Sequence, residues 1–221
     1  MTRYSRAFRV IVPGAAAILF ARCSQLPAII PADFSQKESI NKICASPFSQ
    51  KSWRFIHSIE AEMPDGSMAN LLGVTVVKPS TRSIHCVLMT LEGLVVFEAA
   101  KDNGLKIKKA LPPLDNPHFA RGLMEDISLV YFPPSGICAE LGSLDGAVVC
   151  RYKNEGALVD VKVGPEEEWE ILSYDSSKRL NRVVHASDID AGGVPRTIRL
   201  RAPGLLGYTL ILTLIEKERV P

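Results

Sequence analysis

The histidine and acidic residues of this chain form no recognisable catalytic or metal-binding pattern. The 221-residue sequence has no H-E-x-x-H metal motif, no G-x-S-x-G nucleophile elbow and no phosphate-binding glycine loop. His57 and His85 fall within strand-like stretches, where a hydrogen-bonded structural histidine is the ordinary interpretation. Asp188 and Asp190 precede two glycines, but a calcium site would require more oxygen ligands than this loop provides. The sequence therefore predicts no enzyme, no metal site and no cofactor.

The N-terminal segment has the composition of an export signal that ends at a cysteine. Arginines open the chain, and residues 10–20 form an apolar run too short to span a membrane. Cys23 follows in an arrangement that resembles the signal of bacterial lipoproteins, in which this cysteine is lipidated. Arg22 and Phe20 depart from the small residues usual there, so an ordinary secretory signal or an uncleaved anchor is the alternative. We expect residues 1–22 to be a signal peptide and a lipid on Cys23 to attach the protein to a membrane.

Four further cysteines allow a disulfide. Export favours oxidation of thiols, and four cysteines can pair in three ways. The alternative is that several are buried thiols, which pack like small hydrophobic residues. These cysteines are Cys44, Cys86, Cys138 and Cys150.

The distribution of charge argues against a nucleic-acid partner. Removing the four arginines of residues 1–22 from the 26 basic residues leaves 22, against 24 acidic residues. A domain with this slight negative balance has no broad attraction for phosphate backbones. We therefore expect no nucleic acid among its partners.

The rest of the chain is predicted to form one mainly β domain with two helices. Residues 23–34 contain two prolines and are interpreted as a lipid-anchored tether, and residues 35–221 as a single domain. A short helix is predicted over residues 35–45. Alternating apolar residues and turn dipeptides then predict five strands over residues 53–110 and six over residues 147–216. Between them, residues 116–131 read as a helix, and residues 135–144 as a short irregular or helical segment.

Several apolar and aromatic residues are candidates for binding a ligand. Trp53 and Trp169 each open a predicted strand, where they could line a cavity or simply pack. The helix at residues 116–131 carries an apolar stripe that could cover a hollow in the sheet or belong to an ordinary core. The candidate residues on this helix and at its end are Phe119, Leu123, Met124, Ile127, Tyr131 and Phe132.

The order of these elements resembles the Lol-type lipoprotein carriers and the related outer-membrane lipoprotein receptor. A Pro-x-x-Ile-x-Leu strand begins at Pro195, after a hairpin that starts at Trp169. Residues 87–93, 110–113 and 126–129 are similar to an uncharacterised bacterial lipoprotein family that is related to that receptor. The resemblance implies an antiparallel curved sheet or half-open β-barrel with helices over its concave face. It also implies a lipid or acyl-chain ligand in the hollow.

The resemblance further implies a place in the cell envelope. Ser24, rather than Asp, would follow a lipidated Cys23, which suggests the outer membrane facing the periplasm. The carriers use a basic residue that pairs with the lid, for which Arg54 is the nearest candidate; an exposed strand-edge charge is the alternative. The receptor has an apolar membrane-directed loop, for which Leu91 and Leu94 are candidates, ordinary hairpin packing being the alternative. The other functional hypothesis is a structural or assembly lipoprotein with a filled core that binds an envelope protein partner.

Overall fold

The computed structural model describes residues 26–204 and 207–221. Its main feature is one open antiparallel sheet of 13 strands, accompanied by two α-helices, α1 (Lys37–Ala45) and α2 (Pro117–Tyr131). The strands are β1 (Ile30–Pro31), β2 (Trp53–Glu62), β3 (Met68–Lys78), β4 (Ser83–Met89), β5 (Val95–Lys101), β6 (Leu105–Ala110), β7 (Ile137–Leu144), β8 (Ala147–Asn154), β9 (Ala157–Val163), β10 (Trp169–Tyr174), β11 (Leu180–Ile189), β12 (Pro195–Ala202) and β13 (Tyr208–Arg219).

The sheet consists of two meanders that meet in its centre. Strands β2 to β6 form one meander, strands β7 to β13 form the other, and the last strand β13 pairs with β2. The outer strands are β6 at one edge and β1 at the other, so the sheet is not closed. Helix α2 connects the two meanders, as its position in the sequence predicts.

The eleven predicted strands are present, but the count was too low by two. Residues 137–144 form strand β7, whereas the sequence analysis assigned them to an irregular or helical segment. Asp145 and Gly146 adopt positive φ values of 51° and 81°, and they make the tight turn that pairs β7 with β8. This Asp-Gly dipeptide is a hairpin signal that outweighs the weak strand propensity of the Ala, Glu and Gly residues in β7.

The second missed strand is β1, in the segment predicted to be a tether. Ile30 and Pro31 pair with Ser143 and Gly142 of β7. Gly142 permits this approach, because a Cβ atom there would lie 1.9 Å from the carbonyl oxygen of Ile30. The carbonyl of Pro27 also accepts a hydrogen bond of 3.0 Å from Arg151. The segment is therefore docked against the sheet from Pro27 onward.

The sheet is strongly curved, and its inner face carries the core. Val77 of β3 and Trp169 of β10 line one cavity of about 30 Å³. Five strand steps separate β3 from β10, which would be about 24 Å along a flat sheet. The strands must therefore curl around that cavity. Both helices pack on this inner face, so the expected helix-covered concave sheet is observed.

Candidate functional site

Helix α2 lies across the inner face of the first meander. It begins where the sequence predicts. The Asn116 side chain caps it by accepting a hydrogen bond of 2.9 Å from the backbone N–H of His118, and Pro117 takes the first helical position. Met124 is 1% exposed and Ile127 9% exposed, and both pack with residues of β2 to β5. Phe119 and Leu123 are only partly buried at the border of the same cluster. None of these four side chains lines the cavities described below.

The two predicted tryptophans and Tyr131 meet at a small cavity in the centre of the inner face. Trp53, Trp169 and Tyr131 line it together with Phe55 and His57, and its volume is about 30 Å³. Phe55 stacks on Tyr131 with a ring-centroid distance of 5.0 Å, which fixes the phenol against the wall. A space of this size accommodates about one water molecule. In this state of the protein, the deepest part of the hollow is therefore nearly filled.

His57 contributes a neutral imidazole to the wall of this cavity. The side chain belongs to β2, is 2% exposed and packs against Phe55 at a ring-centroid distance of 5.9 Å. Burial lowers the pKa of His57 from 6.5 to about 4, because the charged form loses its hydration. At neutral pH the histidine therefore adds no positive charge to the cavity.

A much larger groove lies beside this cavity, between α1 and the second meander. Its volume is about 660 Å³. Ile43 of α1, Val148 of β8, Val163 of β9 and Ile189 of β11 supply apolar walls. Trp169 borders both the groove and the small cavity, together with Pro47 and Gly193. The space available to an apolar ligand is therefore found beneath α1, whereas most of the predicted ligand residues belong to α2.

Phe132 lines a third hollow on the other side of α2. This hollow has a volume of about 230 Å³ and is bordered by Leu129, Tyr152 and Val159. The guanidinium of Arg82 lies 5.1 Å from the centre of the Phe132 ring. The eight candidate ligand residues are therefore divided: three line the central cavity, Phe132 lines this hollow, and four belong to the core under α2.

A buried polar contact joins α2 to the second meander. Asp126 of α2 is 3% exposed and accepts a hydrogen bond of 2.7 Å from Nε of Arg182 on β11. The hydroxyl of Tyr208 on β13 donates to the other carboxylate oxygen. Burial raises the pKa of the Asp126 carboxyl, although Arg182 and Tyr208 oppose this effect. Sequence reasoning missed this contact, because the three residues are far apart in the chain.

Arg54 does not make such a contact with a helix. Its guanidinium is 2.6 Å from the Glu218 carboxylate and 3.5 Å from that of Glu216, and its side chain is 41% exposed. Arg54 is therefore a half-exposed, paired charge, and its strand β2 lies in the middle of the sheet rather than at an edge. Leu91 and Leu94 are 61% and 54% exposed on the turn between β4 and β5, so they are not packed within the hairpin.

A disulfide holds α1 against the sheet. Cys44 of α1 and Cys150 of β8 are bonded, with their Cα atoms 6.1 Å apart. The sequence left three pairings open. In the structure Cys44 pairs with Cys150, and Cys86 and Cys138 remain thiols. Burial raises the pKa of Cys86 to about 12, so this thiol stays protonated. α1 is consequently the covalently fixed wall of the groove.

Some predictions concern parts of the chain that the structure does not describe. The signal peptide and Cys23 lie outside residues 26–204 and 207–221. Within those two ranges, no three His, Cys, Asp or Glu side chains are arranged to hold a metal ion. In the same residues, neither helix has the length and apolar character needed to cross a membrane.

Comparison with known proteins shows the fold. No protein-family model matches the sequence, and no curated protein does either. A LolA-superfamily protein from Nitrosomonas europaea aligns with a TM-score of 0.55 at 14% sequence identity, over 83% of this chain and 93% of that one. A putative outer-membrane lipoprotein-sorting protein domain from Vibrio parahaemolyticus aligns with a TM-score of 0.47 at 8% identity, over 82% and 91% of the two chains. The first alignment confirms the Lol-type fold that the sequence resemblance predicted.

Proposed function

We propose that this protein binds the acyl chain of a lipid or of an acylated protein in the hollow of its sheet. The observation that carries the proposal is the groove of about 660 Å³ beneath α1, which is mainly apolar with Lys42 and Glu167 also on its lining, and which is as large as typical small-molecule sites. The groove continues toward the aromatic cavity at Trp169. Similarity of fold to a LolA-superfamily protein supports the same proposal.

Burial of hydrocarbon accounts for binding without a reaction. Each methylene that leaves water contributes about 0.8 kcal/mol to binding. A chain that fills the groove would therefore bind firmly against Ile43, Val148 and Val163. The proposed protein is a carrier or acceptor, not an enzyme, and it requires neither a cofactor nor a metal.

The deeper cavity requires a movement before it can receive part of a ligand. At about 30 Å³ it is far smaller than a lipid chain. α1 is tied to β8 by the disulfide, whereas α2 is held by non-covalent contacts that include the Asp126–Arg182 ion pair. We propose that α2 is the element that shifts, in keeping with its predicted role as a lid.

The second candidate is a structural or assembly lipoprotein that binds an envelope protein. The observation in its favour is the close packing under α2, where Ala120 is fully buried and Met124 is 1% exposed. A core of this kind would keep the sheet rigid, and the partner would bind to an outer surface. In that case the groove beneath α1 would contain only solvent.

Native mass spectrometry of protein purified from its host distinguishes the two candidates. We expect the wild-type protein to retain a lipid or acylated ligand. Val148→Trp should reduce retention, because the larger side chain occupies part of the groove. Val159→Trp is the matched control: this valine is also partly buried on the inner face but lines the third hollow. Failure to recover any lipid from folded wild-type protein would favour the assembly candidate.

A further inference from the structure

Two residues that line the central cavity carry a buried hydrogen-bonding group without a partner. The indole nitrogen of Trp169 and the hydroxyl of Tyr131 are both buried, and neither has a hydrogen-bond partner among the described residues. The indole of Trp53 on the same wall differs, because it donates a hydrogen bond of 2.9 Å to the Ser49 hydroxyl. Buried polar groups in proteins are almost always satisfied, by protein, water or ligand. Trp169 and Tyr131 are therefore lining residues with hydrogen-bonding capacity left for a group from outside the chain.

The chemistry of the wall restricts what that partner can be. An indole N–H can only donate, so the partner must supply an acceptor. Burial raises the pKa of the Tyr131 phenol, which therefore also remains a donor at neutral pH. The other titratable groups that line the cavity are His57, which burial keeps neutral, and Lys51, which is exposed at the rim. A buried carboxylate would lack a charged partner at depth, whereas a neutral carbonyl oxygen would not need one.

We infer that the cavity receives the carbonyl oxygen of an ester- or amide-linked acyl chain, with Trp169 and Tyr131 as its donors. This inference rests on the proposed acyl-binding function and specifies the ligand class. Trp169 borders both the cavity and the groove, so a chain in the groove can present its first carbonyl to the pair. Esterified or N-acylated lipids are then preferred over free fatty acids and over plain hydrocarbons.

The test compares three ligands on delipidated full-length protein. Methyl laurate, lauric acid and dodecane, a hydrocarbon with as many apolar carbons as the ester, are delivered from cyclodextrin and their dissociation constants measured. Methyl laurate should bind more tightly than dodecane by about two- to tenfold for each donor. It should also bind more tightly than lauric acid at neutral pH. Equal affinities for the ester and the hydrocarbon would overturn the inference but leave the proposed function standing, whereas absence of binding by all three would overturn the proposed function.

The two tryptophans provide a direct readout of the hydrogen bond. With only two in the sequence, a nitrogen–proton correlation spectrum contains two indole resonances. Methyl laurate should shift the Trp169 indole proton downfield and leave Trp53, which is already bonded to Ser49, nearly unchanged. If dodecane produces the same shift as the ester, the shift does not come from a hydrogen bond to the carbonyl, and the inference is wrong.

Conservative variants assign the effect to each donor. Tyr131→Phe and Trp169→Phe keep an aromatic ring and remove the donor, so each should reduce the preference for the ester over the hydrocarbon by about two- to tenfold. Tyr174→Phe is the control, because Tyr174 is buried elsewhere and lines neither the cavity nor the groove. If Trp169→Phe does not fold, Tyr131→Phe and the wild-type spectrum still decide the matter. An unchanged preference in Tyr131→Phe would contradict its assignment as a donor.

Discussion

His57 projects from β2 into the inner face, and its burial makes the stability of the protein depend on pH. The folded-state pKa of about 4 lies below the ordinary value of 6.5, so the unfolded chain binds more protons between these two values. The stabilising effect of a neutral His57 is complete above 6.5, the pKa of this histidine in the unfolded chain. It is lost progressively as the pH falls toward the folded pKa.

The variant His57→Leu should lose this part of the pH dependence. Between about pH 7.5 and about pH 4.5, the wild-type free energy of unfolding should fall by about 2.5 kcal/mol more than that of the variant. Urea unfolding at the two pH values measures the difference. His185→Gln serves as control, because the His185 side chain is 44% exposed, and it should follow the wild type. Parallel pH profiles for wild type and His57→Leu would show that His57 is not buried in its neutral form.

At the scale of single elements, α1 depends on its disulfide. The bond joins residues 106 positions apart, so it restricts a large part of the unfolded chain. Replacing both Cys44 and Cys150 by alanine should lower the free energy of unfolding by about 3–5 kcal/mol. Reduction of the wild-type protein should have a similar effect. Urea unfolding with and without a reductant measures both.

Cys138→Ala is the control for that experiment, because Cys138 is an unpaired and half-buried thiol. It should leave the free energy of unfolding nearly unchanged in either redox state. Alkylation of the unfolded, unreduced wild-type protein should label Cys86 and Cys138 and spare the other two described cysteines. Labelling of Cys44 or Cys150 under those conditions would show that the pair is not formed.

Helix α2 offers two neighbouring positions that separate gating from stability. Leu123 is partly buried at the border of the first cluster, whereas Met124 is 1% exposed within it. Met124→Ala should cost about 2–5 kcal/mol of folding free energy, as expected for truncation in a packed core. Leu123→Ala should cost less than 2 kcal/mol, yet reduce lipid retention because it loosens the helix over the hollow.

Thermal unfolding and native mass spectrometry of the two variants provide the comparison. Met124→Ala removes more packing from the same helix, so at a temperature where both variants are folded its lipid retention per folded molecule should fall at least as far as that of Leu123→Ala. If Leu123→Ala destabilises the protein as much as Met124→Ala and leaves lipid retention unchanged, α2 is a structural helix rather than a lid.

For the whole molecule, membrane attachment is predicted to depend on Cys23. If its thiol carries a lipid, Cys23→Ser should move the protein from the membrane fraction to the soluble envelope fraction. Cys138→Ser is the control and should remain with the membrane. Fractionation followed by immunoblotting measures both. Retention of Cys23→Ser in the membrane fraction would contradict the lipid anchor and favour an uncleaved N-terminal anchor.

Local sequence patterns determined most of the secondary structure. Period-two alternation and turn dipeptides located eleven of the strands, and Asn116–Pro117 located the start of α2. These signals are local, because the pleat of a strand and the cap of a helix depend on residues only a few positions apart. Strand β7 was missed because its own residues have weak strand preference, although Asp145–Gly146 carried the signal for its hairpin.

Only the tertiary structure decided how the two meanders join and which strands form the open edges of the sheet. The pairing of β13 with β2 and the bond between Cys44 and Cys150 join distant segments, and many alternative pairings satisfy the same local pattern. The curvature of the sheet brings Trp53, Tyr131 and Trp169 to one cavity and places the larger groove under α1 instead of α2. The volume of such a cavity is the small space left between packed side chains that many strands contribute. No single stretch of sequence contains that information, because it arises from how side chains across the whole inner face fill space together.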